Sequence, residues 1–118
     1  MLVDTSIWVE HLRKGNRQLE LSLLDGEVIC HPFVIGELAC GSIKNRKEIL
    51  SLLMSLPSAP VLEFDELMHF IDENQMMGIG IGFVDVHLLA SARLSGTFLW
   101  TADKKLNSAA TKLSLNYK

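Results

Sequence analysis

The sequence predicts an α/β fold in which helices cover both faces of a mainly parallel sheet. Short apolar runs, typical of buried strands, alternate along the chain with segments of helical periodicity. The chain has 118 residues, of which 48% are hydrophobic and 21% charged, and this is enough for one domain with its own core. It contains no repeats, low-complexity stretches or linkers. We therefore expect a single domain over residues 1–118.

The first strand and two short helices are predicted before residue 27. Met1–Asp4 is an apolar run that ends on a carboxylate, as expected of a buried strand. Thr5 and Ser6 supply hydroxyls that can cap a helix, and apolar residues follow them at helical spacing. Gln18–Asp25 is predicted to form a second helix, which Gly26 would close in the C′ position.

A second strand and two further helices are expected in the next thirty residues. Val28–Cys30 has the composition of a strand, and Pro32 occupies a position at which helices commonly begin. Asn45 and Glu48 have the spacing of a capping box, and leucine and isoleucine residues follow them at helical spacing. Pro57 would end this helix.

The remaining elements repeat the same alternation. Val61–Phe64 is predicted to be a strand, and Asp65 to cap a helix that runs to about Met77, where Gly78 stops it. The other expected elements, in chain order, are a helix over Phe83–Leu94, a strand over Thr97–Trp100, a helix over Lys104–Lys112 and a strand over Leu113–Tyr117. A parallel sheet of this kind binds its ligands at the carboxyl ends of its strands.

Composition and charge exclude several classes of protein. No apolar run approaches the roughly 20 residues that a membrane-spanning helix needs, and Asp4, Glu10 and His11 interrupt the N-terminal apolar residues before a signal peptide can form. Two cysteines are too few for a disulfide framework. The net charge of −3 argues against indiscriminate binding of nucleic acid. We therefore expect a soluble, cytoplasmic chain without a membrane partner.

Carboxylates follow the predicted strands and point to a metal site. Asp4 and Asp103 come at strand ends, and Glu37 and Asp85 lie early in helices, so all four can reach one edge of the sheet. Such a group of carboxylates is tolerated when a hard divalent cation such as Mg²⁺ or Mn²⁺ neutralises it. Taken singly, Asp4 and Asp103 also fit the role of helix N-cap and Glu37 that of a solvated helix residue. Asp85 lies in the largely apolar stretch Gly82–Ala90, where a charge needs a partner.

Cationic residues are gathered in three stretches, which matter only beside an acidic centre. They are Arg13–Lys14 with Arg17, Lys44 with Arg46–Lys47, and Lys104–Lys105. Four acids around a metal would leave 11 cations against 10 other acids, a balance of +1. Taken singly, each stretch is typical of a solvated surface. The four histidines lack metal-ligand spacing and are expected to be hydrogen-bonded structural residues.

Four segments together resemble the PIN-domain ribonucleases, and more narrowly the VapC toxins of bacterial type II toxin–antitoxin modules. They are Leu2–Trp8, His31–Leu38, Gly82–Ala92 and Leu99–Leu106. The resemblance covers nearly the whole chain in the order of the family. It implies a three-layer α/β/α sandwich around a central, mainly parallel sheet, and a Mg²⁺- or Mn²⁺-dependent endoribonuclease that cleaves a cellular RNA, with tRNA or rRNA expected.

The same resemblance assigns roles to individual residues and implies partners. The family's catalytic quartet corresponds to Asp4, Glu37, Asp85 and Asp103, of which all but Glu37 are expected to bind metal directly or through water. Glu37 would be a ligand or would orient the attacking water. The supporting hydroxyls would be Ser6 and Thr101, with Thr5 also possible. The expected partners are a cognate antitoxin, an RNA substrate and a second copy of the chain in a homodimer.

Two other functions remain open at this point. A catalytically inactive PIN-like module would bind RNA or protein without cutting, although such a domain could lose members of the quartet and this chain keeps all four. A phospho-receiver domain of similar length would also have acids at strand ends. Against it, no predicted mid-chain strand ends in a third Asp, because Asp65 leads at once into a helix.

Overall fold

A small parallel sheet lies at the centre of the computed structural model, which describes residues 1–118. Strand β1 (Leu2–Val3) pairs in parallel with β2 (Leu99–Trp100), with Leu2 opposite Leu99 and Val3 opposite Trp100. Three further segments join through single parallel bridges, which are Leu2 with Ile29, Cys30 with Ser58, and Leu99 with Asn116. Across the sheet the segments are therefore ordered 58, 29–30, β1, β2, 116.

This order places a topological switch between β1 and β2. From β1 the chain moves step by step to one edge of the sheet, and after residue 58 it crosses back to β2 and moves to the other edge. Because parallel crossovers are right-handed, connections that run in opposite directions put their helices on opposite faces. The crevice between β1 and β2, at their carboxyl ends, is where a fold of this kind binds its ligands. Asp4 follows β1 directly, and Asp103 follows β2 after two residues.

Seven helices complete the α/β fold. They are α1 (Thr5–Lys14), α2 (Arg17–Leu24), α3 (Pro32–Cys40), α4 (Arg46–Met54), α5 (Phe64–Glu73), α6 (Phe83–Ser95) and α7 (Lys104–Lys112). Helix α3 packs on both α1 and α4, α5 packs on α6, and α6 and α7 contact β2. The predicted helices are all present, and α7 has the predicted bounds. No helix is both long and apolar enough to cross a membrane.

The predicted strands are the least accurate part of the sequence-based interpretation. Val28–Cys30 and Leu113–Tyr117 contribute only single bridges, so each is an extended segment with one paired position or two. The strand over Val61–Phe64 is wrong. The bridge forms earlier, at Ser58, and Phe64 is already the first residue of α5. Glu66 accepts a hydrogen bond from the Glu63 N–H at 3.0 Å, and this cap starts the helix before a strand can form.

Two predicted caps are also wrong. Asn45 precedes α4 in a left-handed conformation (φ 53°), and its side chain makes no capping hydrogen bond with the helix. The proposed box with Glu48 therefore does not form. Asp65 lies inside α5, whose N-cap is Glu63, and the helix ends at Glu73 instead of near Met77. Short-range spacing matched the capping pattern in both places, but backbone conformation decides whether the side chain can reach the N–H groups.

His31 is fully buried and connects helices α3 and α6. Its Nδ1 accepts a hydrogen bond from the Phe33 N–H at 3.0 Å and so caps α3. Its Nε2 lies 3.1 Å from the hydroxyl of Ser91 in α6, and that hydroxyl donates to the Pro60 carbonyl at 2.5 Å. The imidazole is therefore neutral, with its proton on Nε2. Burial and the neighbouring His87 lower the pKa of His31 to about 4.

We expect the stability of the protein to fall in acid because of this histidine. A histidine whose pKa is depressed in the folded state favours the unfolded chain once protons bind it, so stability is lost as pH falls from about 6.5 to about 4. The shift corresponds to at most about 3 kcal/mol. His31→Asn keeps a helix cap and lacks the titrating ring, so the gap in unfolding free energy between wild type and variant should be largest at pH 7 and shrink towards pH 4.

Urea denaturation of both proteins at pH 7, 5 and 4 measures this gap. His69→Asn is the matched control, because His69 is exposed and pairs only with Glu73 on the surface of α5. A gap between wild type and His31→Asn that stays constant with pH would contradict the assignment of the neutral imidazole.

Candidate active site

Asp4 is held between the ends of the two central strands. Its backbone N–H donates to the Trp100 carbonyl at 2.9 Å, which continues the pairing of β1 with β2. Its Oδ2 accepts hydrogen bonds from Ser6 Oγ and Thr101 Oγ1, both at 2.7 Å, and the residue is only 6% exposed. Asp4 occupies the N-cap position of α1, but its side chain makes no capping bond. The carboxylate therefore does not serve as a helix cap but is held by two hydroxyls at the strand ends.

The two hydroxyls beside Asp4 have fixed orientations. Ser6 Oγ accepts from the Ala102 N–H and Thr101 Oγ1 accepts from the Asp103 N–H, each at 3.0 Å. Because each oxygen already accepts from a backbone donor, its proton is directed to the Asp4 carboxylate. The network joins residues 96 positions apart in the chain and holds the Asp4 carboxylate in one orientation. Ser6 and Thr101 thus lie where the sequence predicted supporting hydroxyls.

Asp85 and Asp103 each use one carboxylate oxygen to hold a turn of backbone. Asp103 Oδ1 accepts from the Leu106 N–H at 3.0 Å and caps α7, so its predicted role as a cap is correct and accompanies its place at the site. Asp85 Oδ2 accepts from the Gly82 N–H at 3.2 Å at the start of α6. In both residues the second oxygen makes no hydrogen bond within the protein.

Glu37 reaches the site from α3 and is connected to α1. Thr5 Oγ1 donates to Glu37 Oε1 at 2.6 Å, across the contact between the two helices. The Thr5 hydroxyl therefore supports Glu37, whereas Ser6 and Thr101 support Asp4. Glu37 is exposed, and its Oε2 has no partner in the protein.

The four carboxylates influence one another electrostatically. Burial raises the pKa of the Asp85 carboxyl above its ordinary value, and the Gly82 N–H partly opposes that effect. The negative charges of Asp4, Asp103 and Glu37 raise the pKa further. No three acidic, histidine or cysteine side chains stand close enough together to enclose an ion. The fold therefore brings the predicted quartet into one electrostatic neighbourhood, in which each member is anchored separately.

A groove opens beside Glu37 that sequence reasoning did not find. It has a volume of about 610 Å³ and lies among α1, α3 and the start of α4. Its apolar floor consists of Val9, Leu12, Leu38, Ile43 and Ile49. Thr5 and Glu37 lie at the end of the groove that meets the site, and Arg13 and Lys44 also line it. Only the helical periodicity of α1 and α4 hinted at it in the sequence, because the groove forms from segments far apart in the chain.

Comparison with known proteins agrees with this geometry. The sequence profile of the family described as PIN domain matches residues 1–112. The chain belongs to the PIN-domain family. It is 46% identical to Ribonuclease VapC32 of two strains of Mycobacterium tuberculosis, over 113 residues that cover 95% of this chain and 91% of that protein. The predicted similarity to VapC-type PIN-domain ribonucleases is confirmed.

A solved structure has the same fold as this chain. The crystal structure of PAE2754 from Pyrobaculum aerophilum superposes with a TM-score of 0.62 and covers 92% of this chain and 82% of its own. The sequences are 20% identical, so this match concerns the fold alone. The predicted α/β class with a central parallel sheet is confirmed.

Proposed function

We propose that this PIN-domain protein is a metal-dependent endoribonuclease and the toxin of a type II toxin–antitoxin module, with Asp4, Glu37, Asp85 and Asp103 as catalytic residues. The observation that carries the proposal is the buried Asp4 carboxylate, which hydroxyls from both strand ends hold at the topological switch. The negative charges of Asp4, Asp103 and Glu37 all raise the pKa of the Asp85 carboxyl, which links the four residues. The 46% identity to a protein named as a ribonuclease supports the reaction class.

The donor atoms of the site suit Mg²⁺ or Mn²⁺. All are oxygens, and Asp4, Asp85 and Asp103, which would hold the ion, each keep one oxygen free of hydrogen bonds within the protein. Such an ion polarises a phosphodiester and acidifies a bound water. Divalent-metal dependence is general among PIN-domain nucleases of the VapC type, and the choice between Mg²⁺ and Mn²⁺ is part of the proposal.

The chain's own residues then have distinct tasks. Ser6 and Thr101 hold Asp4 in one orientation, so the charge of its free oxygen faces a defined direction. Glu37 would accept a hydrogen bond from the attacking water, because its exposed Oε2 is free and Thr5 fixes the other oxygen. Substrate RNA, with tRNA or rRNA as the class, would be cut by in-line attack of that water on a phosphodiester.

An inactive RNA- or protein-binding module is less well supported. A domain that only binds does not need four electrostatically linked carboxylates or a buried Asp4 anchored by two hydroxyls. A phospho-receiver domain is not supported either, because the chain matches the PIN-domain profile over residues 1–112.

Expression of the chain alone should arrest the growth of a bacterial host, and Asp85→Ala should relieve the arrest. The variant removes one of the three proposed metal ligands at the start of α6. Growth curves after induction measure the effect, and RNA from arrested cells should show new ends within tRNA or rRNA. Equal arrest by wild type and variant at equal protein levels would mean that the toxicity arises elsewhere in the molecule.

The groove beside Glu37 supports a cognate antitoxin as the partner. Its apolar floor suits the apolar face of a helix, and its open end at Thr5 and Glu37 would let a basic side chain of that helix reach the carboxylates. An antitoxin bound there would shield the acidic quartet and so inhibit cutting. The partner is expected to be encoded beside this chain.

Val9→Glu should leave the toxin active and weaken its silencing. Val9 lies on the groove floor, is 37% exposed and makes none of the hydrogen bonds that hold the site, so the added charge opposes an apolar partner and leaves those hydrogen bonds intact. Co-expression of the neighbouring antitoxin should rescue growth with wild type but not with this variant. Leu24→Glu, on an 82% exposed position outside the groove, is the control and should be rescued normally. Normal rescue of Val9→Glu would exclude this groove as the docking site.

The remaining features of the proposal concern assembly and location. We place the whole of residues 1–118 in one PIN-like domain and the protein in the cytoplasm. A homodimer is supported by exposed apolar side chains, of which Phe64 and Met68 share a face of α5 and are 64% and 40% exposed.

A further inference from the structure

Cations without partners lie at the groove side of the acidic site. Arg13 and Lys44 line the groove that ends at Thr5 and Glu37, and both are exposed. Neither forms an ion pair with a carboxylate, and neither donates a side-chain hydrogen bond. Their charges are therefore available to an anion that enters the groove.

A third such cation lies outside the groove, against the glycine loop. Lys105 follows Asp103 by two residues and extends over the glycine loop that leads to Asp85. Its Nζ and Cδ are both 3.0 Å from the place that a Cβ on Gly80 would occupy, so a side chain there would push the lysine aside by a few tenths of an ångström. Gly80 also has a φ of +83°, which disfavours other residues. Lys105 has no carboxylate within ion-pair distance.

The sequence neighbours of these three cations are differently engaged. Lys14 pairs with Glu10 at 3.7 Å, and Arg17 pairs with Glu20 at 3.5 Å. Arg46 donates two hydrogen bonds to the Ala39 carbonyl, at 2.9 and 3.1 Å. The three atoms nearest to a Cβ on Gly80 all belong to Lys105 and none to Lys104. Lys14, Arg17 and Arg46 therefore already have partners, whereas Lys47 and Lys104 have no ion pair but neither lines the groove nor supplies the atoms nearest to Gly80.

Resting on the ribonuclease function proposed above, we propose that the RNA backbone crosses the site from the groove to the glycine loop. Arg13 and Lys44 bind phosphates on one side of the bond that is cut, and Lys105 binds a phosphate on the other side. Four carboxylates repel a polyanion, so cations on both sides are needed to hold the backbone across them. Because an antitoxin helix in the groove would cover Arg13 and Lys44, RNA and antitoxin should exclude each other.

Two triple variants with equal charge test this path. The site variant is Arg13→Gln with Lys44→Gln and Lys105→Gln, and the control is Lys14→Gln with Arg17→Gln and Lys104→Gln. All six side chains are exposed, so both variants should melt at the temperature of the parent protein. Binding is measured on a labelled single-stranded RNA with Mn²⁺ present, in an Asp4→Asn background to suppress cutting.

The slope of log affinity against log salt gives the number of phosphate contacts. For single strands each contact contributes about 0.7 to the slope, so the site variant should lose about 2 and the control close to 0. In the active background the site variant should raise the KM for RNA by about tenfold or more while kcat stays within about twofold, since phosphate contacts position the substrate. Equal loss of slope in the two variants would overturn the proposal in favour of diffuse attraction.

RNA substrates shortened on one side of the cut test whether the cations bind phosphates on opposite sides of it. With RNA shortened on one side of the cut, Lys105→Gln should lose its effect for one truncation, and Arg13→Gln with Lys44→Gln for the other. Loss of both effects with the same truncation would overturn the path. A wild-type protein that cuts no RNA with Mn²⁺ would refute both the ribonuclease function and the RNA path, and this result is distinct from a failure of the path alone. Both proposals are supported if cutting depends on metal, if the site variant loses more salt slope than the control, and if the effects of Lys105 and of the Arg13 and Lys44 pair disappear with opposite truncations.

Discussion

Replacing Asp4 with Asn should lower RNA cutting by about two to three orders of magnitude, because it removes a negatively charged ligand of the proposed ion. The amide can still accept a hydrogen bond from Ser6 or Thr101, so the local structure should persist. Its NH₂ group, however, takes the place of the free carboxylate oxygen. RNA should still bind while the chemical step fails, which appears as a loss of kcat larger than any change in KM.

Purified wild type and variant, incubated with total RNA and Mg²⁺ or Mn²⁺, measure this loss. Parallel reactions with EDTA give the metal-free rate. Asp72→Asn, an exposed position on α5 whose side chain makes no hydrogen bond, removes the same charge away from the site and should cut like wild type. Equal cutting by wild type and Asp4→Asn would indicate a contaminating nuclease and would refute the assignment.

Asp85→Asn should raise the melting temperature of the metal-free protein or leave it unchanged, which is unusual for a polar substitution at a half-buried position. The raised pKa of Asp85 means that its ionised form is less favourable in the folded chain than in the unfolded chain. This acid therefore contributes stability only at low pH, and the contribution is lost as pH rises above the ordinary value of 3.8. Near neutral pH the amide removes the penalty, and it still accepts the bond from the Gly82 N–H.

With metal bound, the wild type should have the higher melting temperature, the reverse of the order without metal. Binding to the folded state at a hundredfold excess over Kd stabilises it by about 2.7 kcal/mol, and the variant, with one ligand charge fewer, should gain much less. Melting curves of both proteins with EDTA and with excess Mn²⁺ give the four melting temperatures that are compared. If Asp85 only caps α6, Asn will cap almost as well and Mn²⁺ will shift both proteins equally. Equal shifts would remove Asp85 from the site.

The location of the quartet could be predicted because it follows from topology. Asp4 and Asp103 come after the two strands that pair at the switch, and both strands are buried apolar runs that the sequence displays. The starts of α3 and α6 follow from proline, glycine and helical spacing, although Glu37 lies in the middle of α3 and not early in it as expected. What spacing left open was whether Asp4 is a cap or a site residue.

The errors in the fold have a common physical origin. Val61–Phe64 alternates like a strand, yet its Val61 and Phe64 side chains are 44% and 64% exposed and the segment pairs with nothing. Asn45 has capping chemistry, but its left-handed backbone turns the side chain away from the helix. In both cases the residue types were compatible with the predicted element. Pairing partners and backbone conformation, which composition does not encode, decided against it.

The sequence by itself determined the α/β class and the seven helices and nominated the four acids proposed for the site, because periodicity and strand-end position are local properties of the chain. Only the tertiary structure decided which hydroxyl supports which carboxylate. Ser6 and Thr101 both bind Asp4, while Thr5 binds Glu37. It also decided which cations of the basic stretches have partners within the protein. Hydrogen bonds and ion pairs depend on distances of a few ångströms between residues far apart in sequence, so the fold must form before these partners are set.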